Sequence, residues 1–189
     1  MKVIYLHGFA SGPSSAKALF FRERFAERGI EIAVPDLAAG NFGHLTITGQ
    51  LGVVEQEAAG EPVSLIGSSM GGYVAALYAA RHPEVHKLVL LAPAFSFAKR
   101  WPLMLGEDAV RQWRESGWLP VYHYAEQKES RVNYALLEDA SHYEDYPEVT
   151  QPVLAFVGRG DDVVPCHLAE EFASSRPNVD LRLVDSGHE

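Results

Sequence analysis

Apolar positions along the chain follow two alternating rhythms. Short, mostly apolar runs at residues 3–6, 30–34, 63–66, 87–92, 153–157 and 181–184 predict six strands. Between them the spacing turns helical. Residues 16–28 set Leu19, Phe20, Phe25 and Ala26 on one face and stop at Gly29. Residues 48–59 form a weaker helix stopped by Gly60, residues 73–81 a third that Pro83 ends, and residues 168–175 a short fourth. Strands without polar alternation are buried on both faces, and their alternation with helices predicts a parallel sheet covered on both sides. The expected fold class is α/β.

One stretch breaks this rhythm. Residues 93–151 show no regular strand–helix alternation, yet they hold all three tryptophans and 10 of the 20 aromatic residues. A structureless loop of that length is foreign to a compact domain, so a folded helical, aromatic cap is expected within a single domain spanning 1–189. Its tryptophans, Trp101, Trp113 and Trp118, are candidates for lining a substrate pocket. The competing reading makes them a satellite core that only holds the cap together. Exposed cap aromatics would also favour a homodimer.

Composition and charge narrow the classes. At 47% hydrophobic and 22% charged, the chain is neither disordered nor fibrous. A net charge of −9 argues against nucleic-acid or anionic-membrane binding, which needs a basic footprint. Cys166 is the single cysteine, so neither an intrachain disulfide nor a cysteine-rich zinc site can form. No apolar run matches a signal-peptide core or a membrane span, so a cytoplasmic protein is expected.

Chemistry concentrates at Gly67-Ser68-Ser69-Met70-Gly71, a G-x-S-x-G pattern. Alone the pattern is weak, but here it joins a buried strand to a helix, where a nucleophile elbow must sit. A Cβ at position 67 or 71 would collide across so tight a turn. Ser69 is the candidate nucleophile, exposed at a helix N-terminus that favours a developing oxyanion. A serine needs a base, and the base an orienting acid, in the chain order Ser, acid, His. That order removes His7 and His44. His82 and His86 lie at the far end of the elbow helix, about 18 Å away at 1.5 Å per residue. His188, just past the sixth strand, is the candidate base, with His142 in reserve. Asp161, after the fifth strand, is the candidate acid, and Asp162 its neighbouring alternative. The oxyanion hole needs two backbone N–H groups, assigned to Phe9 and Met70. His7 is expected to be structural. The loop at 8–17 lacks the G-K-[ST] of a phosphate-binding loop, and no G-x-G-x-x-G follows a strand. No cofactor and no metal are expected.

The strand ending in His7-Gly8-Phe9, the Ser69 elbow, Asp161 before Val164-Pro165 and the late Gly187-His188 together resemble the α/β-hydrolase superfamily. The opening Tyr5-Leu6-His7-Gly8-Phe9-Ala10-Ser11-Gly12-Pro13-Ser14-Ser15-Ala16-Lys17 is similar to that of the YqiA-like small bacterial esterases. The resemblance implies an α/β-hydrolase fold and hydrolysis of a small-molecule carboxylic ester, with an acyl thioester as the alternative. Peptidase or C–C hydrolase chemistry, or a non-catalytic binding module, are the competing readings on the same fold. Relatives continue past the histidine into a closing helix, so a sequence truncated after Glu189 is also expected.

Overall fold

The structure is a computed structural model that describes residues 2–188. Six strands, β1 (Lys2–Leu6), β2 (Ile32–Ala33), β3 (Val63–Ser68), β4 (Lys87–Leu91), β7 (Val153–Gly158) and β8 (Val179–Val184), form one sheet. Their order is β2-β1-β3-β4-β7-β8, and every neighbouring pair is parallel. Each expected strand is present. The edge strand β2 is cut to two residues, because it pairs on one side only and Pro35 cannot donate to a ladder.

Strand periodicity assigns the two faces. Val3 and Tyr5 of β1 pack with Ile32 and Ile66 under Ala18, Phe21 and Phe25 of α1 (Ala16–Ala26). Ile4 and Leu6 point the other way, into the larger core beneath α2 (Ile47–Ala58), α3 (Met70–Arg81) and α7 (Cys166–Ser174). Ser15 caps α1 by accepting from the Ala18 N–H, and Thr46 caps α2 by accepting from the Gly49 N–H. Helix α3 is buried on every side from Met70 to Ala79. That burial follows from its place against the middle of the sheet.

The segment after β4 departs from the helical cap expected of it. It holds α4 (Phe97–Leu105), α5 (Glu107–Ser116) and α6 (Ala135–Ala140), but also an antiparallel hairpin, β5 (Trp118–His123) with β6 (Lys128–Asn133). Pro120 and the polar run of β6, where Val132 alone is buried, leave the hairpin without the alternation that marks a strand. The core continues without a break from the sheet into this cap, through Phe95, Phe97, Trp113, Val132 and Leu136. No helix among the described residues is long and apolar enough to cross a membrane.

Candidate active site

Ser69 sits between β3 and α3 at φ 53° and ψ −118°, a left-handed backbone that a non-glycine residue adopts only under constraint. The constraint is a set of backbone bonds. Its N–H donates to the Leu91 carbonyl of β4 (2.8 Å), and its carbonyl accepts from Gly72, Tyr73 and Ala94. The flanking glycines make the turn geometrically feasible. A Cβ on Gly67 would lie 2.4 Å from the Gly71 oxygen, and one on Gly71 would lie 2.2 Å from the Leu6 oxygen. The turn therefore presses β3, α3 and the end of β1 together, and the Ser69 side chain is left partly exposed.

Asp161 follows β7 in a turn that its own carboxylate organises. Oδ1 accepts the N–H groups of Val163 (2.9 Å) and Val164 (2.7 Å). Oδ2 meets His188 Nδ1 at 2.7 Å, and the Asp161 side chain has no exposed surface. Asp162 is exposed. A carboxylate only accepts, so the proton on that edge of the imidazole belongs to Nδ1. Nε2 then offers a lone pair to Ser69 Oγ, 3.1 Å away. The loop carrying His188 is held against the acid turn at Gly158, where a Cβ would fall 2.3 Å from the Gly187 oxygen. Gly160 N–H donates to the Ser186 carbonyl, and Lys17 of α1 donates to the His188 carbonyl.

The loop after β1 completes the surroundings. A Cβ on Gly8 would already touch the Ser69 Cβ at 3.4 Å, so this backbone lies directly beside the hydroxyl. Among the described residues neither the Phe9 nor the Met70 N–H has an acceptor. The Met70 amide opens α3, where the first turn leaves donors unpaired. His7 is buried and structural: its Nε2 accepts the Leu37 N–H (3.1 Å), leaving Nδ1 to donate to the Gly8 carbonyl (3.0 Å). Burial lowers its pKa below the usual 6.5. His142 is exposed at the end of α6.

The three tryptophans take different places. Trp101 packs edge-on against Phe9 (5.1 Å between centroids), beside the Ser69 elbow. Trp113 is sealed inside the cap, its indole N–H donated to the Val132 carbonyl. Trp118 lies under the Arg131 guanidinium (4.2 Å) and beside His44. Trp113 thus fits the satellite-core reading, whereas Trp101 alone of the three reaches the loop beside Ser69. A cleft of about 500 Å³ runs along α5 and β5, past Trp113 and Trp118, but includes none of Ser69, Asp161 or His188. Among the described residues, no group of three His, Cys, Asp or Glu side chains could hold a metal ion.

Sequence reasoning missed the close approach at Gly158 and the contact of Arg100 with the Val163 carbonyl. The first is visible only as one glycine among several in Gly158-Arg159-Gly160. The second carries no local signal, because its partner lies 63 residues along the chain.

Residues 2–188 match the profile of a family described as uncharacterised protein family UPF0227. No curated protein matches the chain at a significant level. Among solved structures, a provisionally designated hydrolase from Agrobacterium vitis S4 is similar at 26% identity and TM-score 0.84, over 99% of this chain and 80% of that one. Alpha/beta hydrolase domain-containing protein 10 from mouse is similar at 22% identity and TM-score 0.81, over 99% and 81%. Est1E from Butyrivibrio proteoclasticus, with ferulic acid bound, is similar at 19% identity and TM-score 0.79, over 98% and 80%. The fold is that of the α/β hydrolases.

Proposed function

This chain belongs to the UPF0227 family, and from that premise we propose that it is a serine hydrolase of small-molecule carboxylic esters. The observation that carries the proposal is the relay Ser69 Oγ–His188 Nε2 at 3.1 Å and His188 Nδ1–Asp161 Oδ2 at 2.7 Å. Ser69 Oγ attacks the acyl carbonyl carbon while its proton passes to His188 Nε2. The carbonyl oxygen becomes an oxyanion held by the Phe9 and Met70 N–H groups. Collapse breaks the ester C–O bond, and the alcohol leaves with the proton from His188. Water then adds to the acyl-enzyme, giving its proton to Nε2, and the carboxylic acid departs as Ser69 recovers its hydrogen. Asp161 holds the imidazole tautomer and balances the imidazolium charge throughout.

An apolar acyl group suits the surroundings. Trp101 stands beside Phe9, the exposed Val163 belongs to the acid turn, and the exposed Met104 shares with the Val163 carbonyl a contact to Arg100. Residues 93–151 carry six basic and ten acidic side chains, a poor docking surface for coenzyme A phosphates. Esters therefore rank ahead of acyl-CoA thioesters. The test is hydrolysis of p-nitrophenyl esters from acetate to octanoate by the wild type, Ser69→Ala, His188→Ala and Asp161→Asn. Turnover should fall about 10³–10⁴-fold or more in each variant. Full turnover by Ser69→Ala would end the acyl-enzyme reading. Absence of turnover together with absence of labelling by a serine-directed fluorophosphonate would favour a non-catalytic binding module.

A further inference from the structure

Helix α4 touches two of the loops that build the site. Trp101 packs on Phe9, whereas the preceding residue, Arg100, reaches the acid turn. Arg100 Nη1 donates to the Val163 carbonyl at 2.5 Å and contacts Met104 Sδ one helical turn on. The N–H of that same Val163 is held by Asp161 Oδ1. One residue of the acid turn is thus gripped on one side by the proposed acid and on the other by the cap. The guanidinium is half-buried, and its Nε has no hydrogen-bond partner among the described residues. Burial disfavours its charge, and Asp161 is the carboxylate whose attraction opposes that effect.

We infer that Arg100 is a positioning residue for the Asp161–His188 pair, fixing the acid turn from the cap and placing a permanent cation against that turn. The inference rests on the hydrolase reading above. A guanidinium stays protonated throughout the working pH range. A fixed cation on the cap side opposes added positive charge at the turn by Coulomb repulsion. The other charges around the pair are Lys17, bonded to the His188 carbonyl, and the exposed Arg159, which pairs with Asp185 at 3.4 Å. Asp162 is exposed, and His7 faces Asp36 behind the oxyanion loop. None of these changes in an Arg100 variant, so a comparison at position 100 isolates its charge.

The readout is the rate at which a fluorophosphonate labels Ser69 as a function of pH, which needs no knowledge of the natural ester. In Arg100→Gln, which keeps a donor for the Val163 carbonyl but no charge, and in Arg100→Met, which keeps neither, the acid-side loss of labelling should move up by about half a pH unit or more. Arg100→Lys should bring that limb back towards the wild-type pH, even if the maximal rate stays lower. Thermal melts identify any variant that does not fold, and the Gln variant carries the comparison if the Met variant fails. A folded Gln variant whose profile superposes on the wild type after scaling would make Arg100 a structural clamp only and overturn the inference. If the wild type itself is not labelled at any pH, the hydrolase reading falls and takes this inference with it.

Discussion

Ser69 and Gly158 show how single residues build the site by sterics. Ser69 holds an unfavourable backbone because four backbone hydrogen bonds and two glycine contacts leave it no other. Gly158 does the corresponding work for His188, since β7 and the loop after β8 can approach closely only where no Cβ intervenes. Gly158→Ala should therefore cost about 1–3 kcal/mol of unfolding free energy, because the atoms in the way are backbone and cannot rotate aside. It should also slow fluorophosphonate labelling more than a stability loss of that size explains, by moving His188 away from Ser69. Chemical denaturation alongside the labelling rate checks both effects, and unchanged labelling would show that the close approach is not needed to place the base.

Within the cap, helices and hairpin divide two tasks. The hairpin tip steadies the loop after β1: the Tyr124 N–H donates to the Ala10 carbonyl (2.8 Å), and Ala10 itself holds φ 50°. Helix α4 bridges that loop and the acid turn. Trp113 joins these pieces through ring contacts to Trp101 (5.2 Å) and Tyr134 (5.3 Å). Trp113→Ala should destabilise the protein by about 3–5 kcal/mol through the cavity it leaves, seen as a lower denaturation midpoint. Because Trp113 is sealed in the cap core, acyl-chain preference among p-nitrophenyl esters should survive in the folded fraction. A changed preference would place its ring in the substrate pocket after all.

At the scale of the molecule, the buried His7 couples stability to acidity. In the unfolded chain a histidine takes up a proton near pH 6.5, whereas folded His7 resists protonation because it is buried and its Nε2 is already an acceptor. Below about pH 6.5 the unfolded state thus binds more protons, and stability falls as pH falls. Urea midpoints at pH 7.5 and 5.5 should differ more for the wild type than for His7→Gln. Equal differences in the two proteins would remove His7 as a source of the acid sensitivity. The effect concerns the scaffold behind the loop after β1, and it is separable from the pH dependence proposed for Arg100 because it is read from unfolding rather than labelling.

What the amino-acid sequence determined by itself is what depends on near neighbours. Apolar runs and helical periods mark the strands and helices of the sheet layer, since each is set by local burial. The steric demand of a tight strand–turn–helix marks Gly67, Ser69 and Gly71 within five residues. Chain order narrows the proposed base and acid to positions after expected strands, and it favours Asp161 while leaving the neighbouring Asp162 open as the alternative. The tertiary structure separated them, burying one carboxylate against His188 and turning the other to solvent. It also decided the contacts that span long stretches of chain: Ser69 to His188 across 119 residues, and Arg100 to Val163 across 63. The β5–β6 hairpin belongs with these. Strand β6 is polar and β5 carries a proline, so cross-strand pairing and the cap core stabilise them, and neither is written in the local pattern.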